Sequence, residues 1–387
     1  MIRRRTPPAA PLAEYVTDFA EDPGYLNFAY LGPAGEPVIA EERMVAELTS
    51  RARFGTLDSA EQHDERMRDA VAMATGFESD QVVFQPDTST GLMHTMFGLE
   101  GIVALSPAEY PSTLFAIARA QRALGRLQPL WVEPEYGRVT PGTFRELPEE
   151  VTAVLVSAVD FRTGYRIDLE GIRQVIGDRL LIVDAVQAFG AVDAPWEVAD
   201  VIVSGGQKWL RAGRGTGFLV MSDRALERIE PVLSGWLGEP ADFLETGGTG
   251  GETDVPEAPR AASSFALSRP RPAAQARLAT ALERLDVVGI DQAEAGLRER
   301  VDQVLAVIDE YGLPVISPRA ADERAGIVVV EPDAAHVTPL AAALHNHAVS
   351  ATVRSSSIRF SPHVSTSDET LSLLRMAFAE FAAGVSA

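Results

Sequence analysis

Leu180-Leu181-Ile182-Val183-Asp184-Ala185-Val186-Gln187, followed by Val201-Ile202-Val203-Ser204-Gly205-Gly206-Gln207-Lys208, is the stretch on which the reading of this chain turns. Each half is a short apolar run that stops at groups able to do chemistry. The first ends in a carboxylate and an amide, the second in a hydroxyl, an amide and an amine. Apolar runs of this length without polar alternation are the pattern of strands buried on both faces of a parallel α/β sheet. Lys208 lies 24 residues past Asp184, about one short crossover to a nearby strand. In open α/β sheets ligands bind at the carboxyl ends of the strands, so Asp184, Gln187 and Lys208 are expected to face one ligand.

Lys208 is also the one lysine among 34 basic residues, the rest being arginine. Arginine replaces lysine wherever only charge is needed. A guanidinium that never deprotonates cannot attack a carbonyl or hold an imine. The neighbours of this single amine therefore decide what it means.

Working outward, further apolar runs alternate with helix-period stretches: 81–84, 101–105, 151–156 and, after the glycine loop Gly213-Arg214-Gly215-Thr216-Gly217, Phe218-Leu219-Val220. From about 36 to 76 the apolar spacing is helical. Residues 1 to about 24 read as a loose arm, and the Gly, Pro and Glu-rich stretch 238–260 as a loop or linker. Beyond it, 270–311 is expected to form one or two helices, Gly326–Val330 a strand, and 337–347 and 368–383 two more helices. The expected fold class is α/β: a large domain built on a mostly parallel, doubly wound sheet, plus a smaller C-terminal α+β domain. The expected organisation is an N-terminal segment at 1–35, the large domain at 36–255 and the small one at 256–387.

Composition narrows the function. The chain has 387 residues, 46% hydrophobic and 23% charged, enough for two core-bearing domains. A net charge of −21 opposes binding to nucleic acid or to an anionic membrane. Zero cysteines excludes disulfides, thiolate metal sites and a cysteine nucleophile within this chain. Histidines 345, 347 and 363 are close in sequence, but without thiolates and amid helix and loop patterns no metal site is expected. Met1-Ile2-Arg3-Arg4-Arg5 begins like a signal peptide, yet Thr6-Pro7-Pro8 follows instead of an apolar run, and no segment approaches membrane-spanning length. A cytoplasmic protein is expected.

After the run ending at Phe84 comes Pro86-Asp87-Thr88-Ser89-Thr90-Gly91, opening a helical pattern near Leu92. Hydroxyls and free amides at a helix start suit a phosphate, although simple N-capping explains the same residues. The Gly213 loop lacks the spacing of a dinucleotide fingerprint, which opposes a nucleotide-dependent enzyme. One ligand would use phosphate site, carboxylate and amine together: pyridoxal 5′-phosphate (PLP), whose aldehyde takes a lysine, whose ring nitrogen takes a carboxylate and whose phosphate takes a helix N-terminus.

At this point the chain resembles a known family. Leu181 to Gly190, Ser204 to Trp209 and Gly213 to Leu219 look like the core of class V aminotransferases, the fold type I PLP-dependent group that holds cysteine desulfurases and kynureninases. Ser106-Pro107-Ala108-Glu109-Tyr110-Pro111 resembles its ring-stacking loop. Val156 to Gly164 resembles the kynureninase form of another loop. The similarity runs over about 25–380. It implies that Lys208 forms the Schiff base and then shuttles the proton at the substrate α-carbon, that Asp184 pairs with the pyridinium, and that Gln187 hydrogen-bonds the ring oxygen. It further implies that Tyr110 stacks on the ring, that Thr88, Ser89 and Ser204 hold the phosphate, and that Arg359 in Ser357-Ile358-Arg359-Phe360-Ser361 grips the substrate carboxylate as a bidentate fork. Arg354 is a weaker second candidate for that task, and Asn27 a candidate on the substrate side.

The departures from the family matter as much. Cysteine desulfurases need a cysteine to carry the persulfide, and there is none. They usually have histidine at the positions of Tyr110 and Gln207. Kynureninases usually have histidine and tyrosine at those of Gln187 and Gln207. Neither tyrosine nor glutamine titrates near neutrality, so Lys208 is expected to be the main acid–base group at the cofactor. Gln207 and Asp160 are counted with the cofactor-binding residues; Asp160 replaces a common asparagine, adds a carboxylate near the cofactor, and is read either as a selector of a cationic or hydroxylated substrate or, in preference, as a turn cap. The expected activity is α-proton abstraction from an amino acid, leading to transamination or β-elimination of a C–S bond. Epimerisation, kynureninase-like hydrolysis and a non-catalytic binding protein of the same fold are the alternatives. Gly235–Gly238 and Ser264–Arg269 correspond to segments that often reach a partner's cofactor, so a homodimer with the active site at the interface is expected.

Overall fold

The structure is a computed structural model and describes residues 12–238 and 257–385. Chain order is α1 (Leu12–Val16), α2 (Glu36–Arg51), α3 (Thr56–Thr75), β1 (Val82–Phe84), α4 (Thr88–Gly98), β2 (Gly101–Leu105), α5 (Pro111–Leu124), β3 (Leu127–Trp131) and β4 (Val151–Ser157). Then follow α6 (Leu169–Ile176), β5 (Leu180–Asp184), β6 (Val201–Gly205), β7 (Gly217–Met221) and α7 (Asp223–Arg228). The last part comprises α8 (Pro272–Val288), α9 (Ile290–Glu310), β8 (Val328–Val330), α10 (Ala334–Asn346), β9 (Thr352–Val353), β10 (Ile358–Phe360) and α11 (Asp368–Val385).

Seven strands form one sheet in the order β1-β7-β6-β5-β4-β2-β3. Only β7 runs against its neighbours, so the carboxyl ends of all the others share one edge. The apolar runs behave as their composition dictates: Leu181 and Val183 enter one core and Leu180 and Ile182 the other, and the sheet is covered on both faces. A second, antiparallel sheet has the order β8-β10-β9. This is the expected mostly parallel sheet with a smaller α+β part. The proposed boundary between 255 and 256, like most of the stretch read as a linker, lies outside the described residues.

Several local expectations change. The helical spacing over 36–76 belongs to two helices, because Ala52 and Gly55 take positive φ (41° and 78°) and turn the chain between α2 and α3. Strand β3 escapes a reading by hydrophobic runs because Pro129 interrupts it. A proline is tolerated there because β3 is an edge strand. The described part of the N-terminal arm is not loose. Tyr15 is buried, and Glu21 forms an ion pair with the fully buried guanidinium of Arg211, which also sits 3.9 Å from the Phe19 ring centroid. Residues 25–28 then run past the start of β9 and the end of β10, through the Tyr25–Ser350 and Asn27–Ser361 bridges respectively.

Arg211 thus ties the arm to the loop that carries Lys208. Arg211→Ala leaves the Glu21 carboxylate without its cation and is expected to cost about 3–5 kcal/mol of stability. Denaturant unfolding measures this, and limited proteolysis should find residues 12–21 newly cleavable. Unchanged stability would show the anchor to be idle.

Candidate active site

The shared edge gathers the chemistry. Asp184 closes β5, and its Oδ1 accepts the Val186 amide (3.0 Å), a turn that stops the strand. Beyond β6 the chain must bend without side chains. A Cβ on Gly205 would collide with Gln207 Oε1 and lie 3.1 Å from Thr88 Oγ1, and one on Gly206 would lie 2.6 Å from Thr216 Oγ1. The bend delivers Lys208 into a pocket bordered by Tyr110, Ser157, Phe161, Asp184 and Gln187.

Burial dominates the electrostatics. It lowers the Lys208 amine to about 8, with the Asp184 carboxylate pulling it up and the Arg359 guanidinium pushing it further down. Burial also raises Asp184 above the usual carboxylate range, against the Val186 amide and Lys208. An amine in this setting becomes nucleophilic close to neutrality. Its nitrogen lies 5.7 Å from the centroid of the Tyr110 ring, which packs edge-on against Phe161 at 5.0 Å.

The other expected residues fall into three groups. At the start of α4, Thr88 Oγ1 is buried and has no hydrogen-bond partner, while Asp87 caps the helix by accepting the Thr90 amide (2.8 Å). Capping therefore explains Asp87 and leaves Thr88 free. Ser89 is exposed and shares a hydrogen bond with Ser112 (2.8 Å), and Ser204 is fully buried in β6 with a 3.4 Å contact to the Gly205 carbonyl. Gln187 is largely committed: its amide donates to the Ala29 carbonyl (3.0 Å) and its oxygen accepts from the Trp209 indole (3.1 Å), leaving one N–H. Gln207 Oε1 lies over Gly205.

On the opposite side, Arg359 in β10 donates to the Phe161 carbonyl (3.0 Å) and the Thr352 hydroxyl (3.2 Å). Thr352 in turn donates to Asn27 Oδ1 (2.7 Å), so Asn27 acts behind Arg359. The arginine Nε is buried without a partner, and burial lowers the guanidinium to about 10, helped by nearby Arg354. Asp160 is engaged locally. It accepts the Arg162 backbone amide (2.7 Å) and pairs with the Arg162 guanidinium (2.7 Å). Among the described residues no cluster of His, Asp or Glu is grouped to hold a metal: His347 meets Glu380, and His363 stacks on Phe28.

One group escaped the sequence reading. Glu109, just before Tyr110, is buried and takes both the Ser157 amide (3.2 Å) and the Ser157 hydroxyl. Burial raises it to about 7, opposed by those bonds and assisted by Asp184 and Asp160. The signal was present: it is an acid in the loop after a parallel strand, the feature that marked Asp184.

A buried lysine and carboxylate at the carboxyl edge of a doubly wound sheet is the layout of fold type I PLP-dependent enzymes. The chain belongs to the aminotransferase class-V family, whose model matches residues 45–382 and whose members bind PLP. A kynureninase of Deinococcus radiodurans is 28% identical over 57% of this chain, but the match spans only 53% of that protein. A probable cysteine desulfurase of Pyrococcus abyssi is 24% identical over 75% of this chain and 73% of its own length. The apo cysteine desulfurase of Thermococcus onnurineus NA1 shares the fold with a TM-score of 0.80, at 21% identity and covering 94% of this chain and 95% of that one.

Because Glu109 holds its proton more tightly folded than unfolded, its contribution to stability is present below about pH 4.5 and is lost as pH rises through about 7. The stability of Glu109→Gln relative to the wild-type apoprotein should therefore rise by about 3 kcal/mol across that window. Urea titrations at several pH values measure it, and a pH-independent difference would contradict the assignment.

Proposed function

We propose that this chain is a PLP-dependent enzyme that removes the α-proton of an amino acid and then transaminates it or eliminates a β-substituent. The observation that carries the reading is the one lysine, buried beside Asp184 with its amine lowered to about 8. The rest of the pocket fits the cofactor. Thr88 offers a buried hydroxyl without a partner at a helix start, next to a glycine where a Cβ would fill the space, and Tyr110 offers a ring face. Bound there, PLP supplies an aldehyde for amine exchange and a protonated ring that withdraws electrons from the substrate α-carbon.

The protein's own groups then have separable tasks. Lys208 bonds the cofactor and moves the proton at the α-carbon. Asp184 keeps the ring nitrogen protonated, which its burial favours only when a cation faces it. The free N–H of Gln187 reaches for the ring oxygen. Thr88, with Ser89, Ser204 and Gln207 around it, forms the phosphate end, and Arg359, backed by Thr352 and Asn27, holds the substrate carboxylate. No histidine borders the pocket, and the chain has no cysteine to hold a persulfide, so persulfide-forming desulfuration is not its reaction.

A homodimer with the site at its interface belongs to the same proposal. Tyr30, Tyr110 and Phe115 leave 59, 42 and 60% of their surface exposed. The segments at 235–238 and 264–269 lie against each other, through the Gly235 amide and the Ala266 carbonyl, and present exposed Trp236 and Leu267. The division into 36–255 and 256–387 and the cytoplasmic location are kept with it. No described helix is long and apolar enough to cross a membrane.

Borohydride reduction of the protein loaded with PLP should leave a pyridoxyl group on Lys208, read by peptide mass spectrometry. With no other side-chain amine in the chain, absence of that adduct would overturn the proposal. Lys208→Arg keeps the charge and is expected to lower turnover on the order of a thousandfold or more. A product screen with and without a keto-acid acceptor separates acceptor-dependent transamination from elimination, which releases ammonia without one.

A further inference from the structure

Three arginines are buried among the described residues: Arg211, Arg324 and Arg359. Arg211 holds Glu21 and Arg324 holds Asp302, whereas among the described residues no carboxylate lies within ion-pair distance of Arg359. Its neighbour Arg354 deepens the imbalance. That guanidinium stands 5.3 Å from the Phe161 ring centroid, on the same residue whose carbonyl accepts from Arg359, and it too lacks an acid among the described residues. Like charges this close repel, and Arg354 is one reason the Arg359 guanidinium loses its proton more readily than usual. Asp160, next to Phe161 in sequence, is taken by Arg162. In a chain of net charge −21, two guanidiniums without a carboxylate partner among the described residues therefore flank Phe161, which borders the Lys208 pocket.

One α-carboxylate satisfies one guanidinium. We propose that the substrate carries two anionic groups, an α-carboxylate on Arg359 and a side-chain carboxylate on Arg354, so that the enzyme acts on an acidic amino acid. This rests on the reading of the site as an amino-acid site, and it sets aside the less favoured reading of Asp160 as a selector of a cationic substrate. The two guanidiniums present forks to two carboxylates, each gaining charge-assisted hydrogen bonds, while the mutual repulsion of the arginines is relieved.

The test uses the full chain, loaded with PLP and checked for the Lys208 adduct. Succinate and butyrate are titrated against it by calorimetry, and kcat/KM is measured for aspartate and glutamate against alanine and serine. Succinate should bind roughly tenfold or more tighter than butyrate, and the acidic amino acids should lead by a similar factor. Arg354→Gln should bring both ratios close to one, and Arg354→Lys should recover part of them. Equal binding of succinate and butyrate, better turnover of neutral amino acids, or ratios untouched by Arg354→Gln would each overturn the inference. A missing adduct would instead strike the cofactor reading, and the succinate titration still reports on the arginine pair.

Discussion

The burial of one amine and one carboxylate in the same pocket is the constraint on which the rest of this structure depends. Lys208 and Asp184 are both taken out of water, and desolvation moves each towards its neutral form while their attraction opposes that shift. A buried pair of this kind is a weak source of stability, because removing two ions from water offsets most of what their attraction returns. Its worth is chemical. The amine is held near the point where it can lose a proton, and the carboxylate is ready to take one cation.

The fold exists to hold those two groups in place. Parallel strands need long crossovers, and they put every strand's carboxyl end on one edge, so residues 24 apart in sequence, Asp184 and Lys208, face each other. Gly205 and Gly206 let the chain turn where any side chain would strike Gln207, Thr88 or Thr216. The arm adds a second clamp: the Gly32 amide donates to the Gln207 carbonyl (2.8 Å), and a Cβ on Gly32 would run into the carbonyl of Lys208 itself. Arg211, three residues on, fastens the same arm through Glu21.

The sequence carried the sheet and its edge because each buried strand is a compact apolar run that ends in a polar group. Leu180–Asp184 and Val201–Gly205 are legible for that reason. Strand β3 was not, since Pro129 breaks its run. Within the site, residue type revealed Lys208, Asp184 and Thr88, whose chemistry follows from identity and position. Glu109 needed burial to acquire meaning, because a glutamate before a tyrosine reads as surface charge until Ser157 closes over it. Gln187 went the other way: the sequence offered a free amide, and packing committed most of it to Ala29 and Trp209. Asp160 pairs with Arg162, two residues along, a local contact that spacing alone does not reveal.

The account stands most directly on where the cofactor sits. A crystal structure of the protein grown with PLP should show density continuous with the Lys208 amine, the ring nitrogen within hydrogen-bond reach of Asp184, and the phosphate against Thr88 at the start of α4. Density bound elsewhere, or a ring whose nitrogen faces away from Asp184, would contradict it.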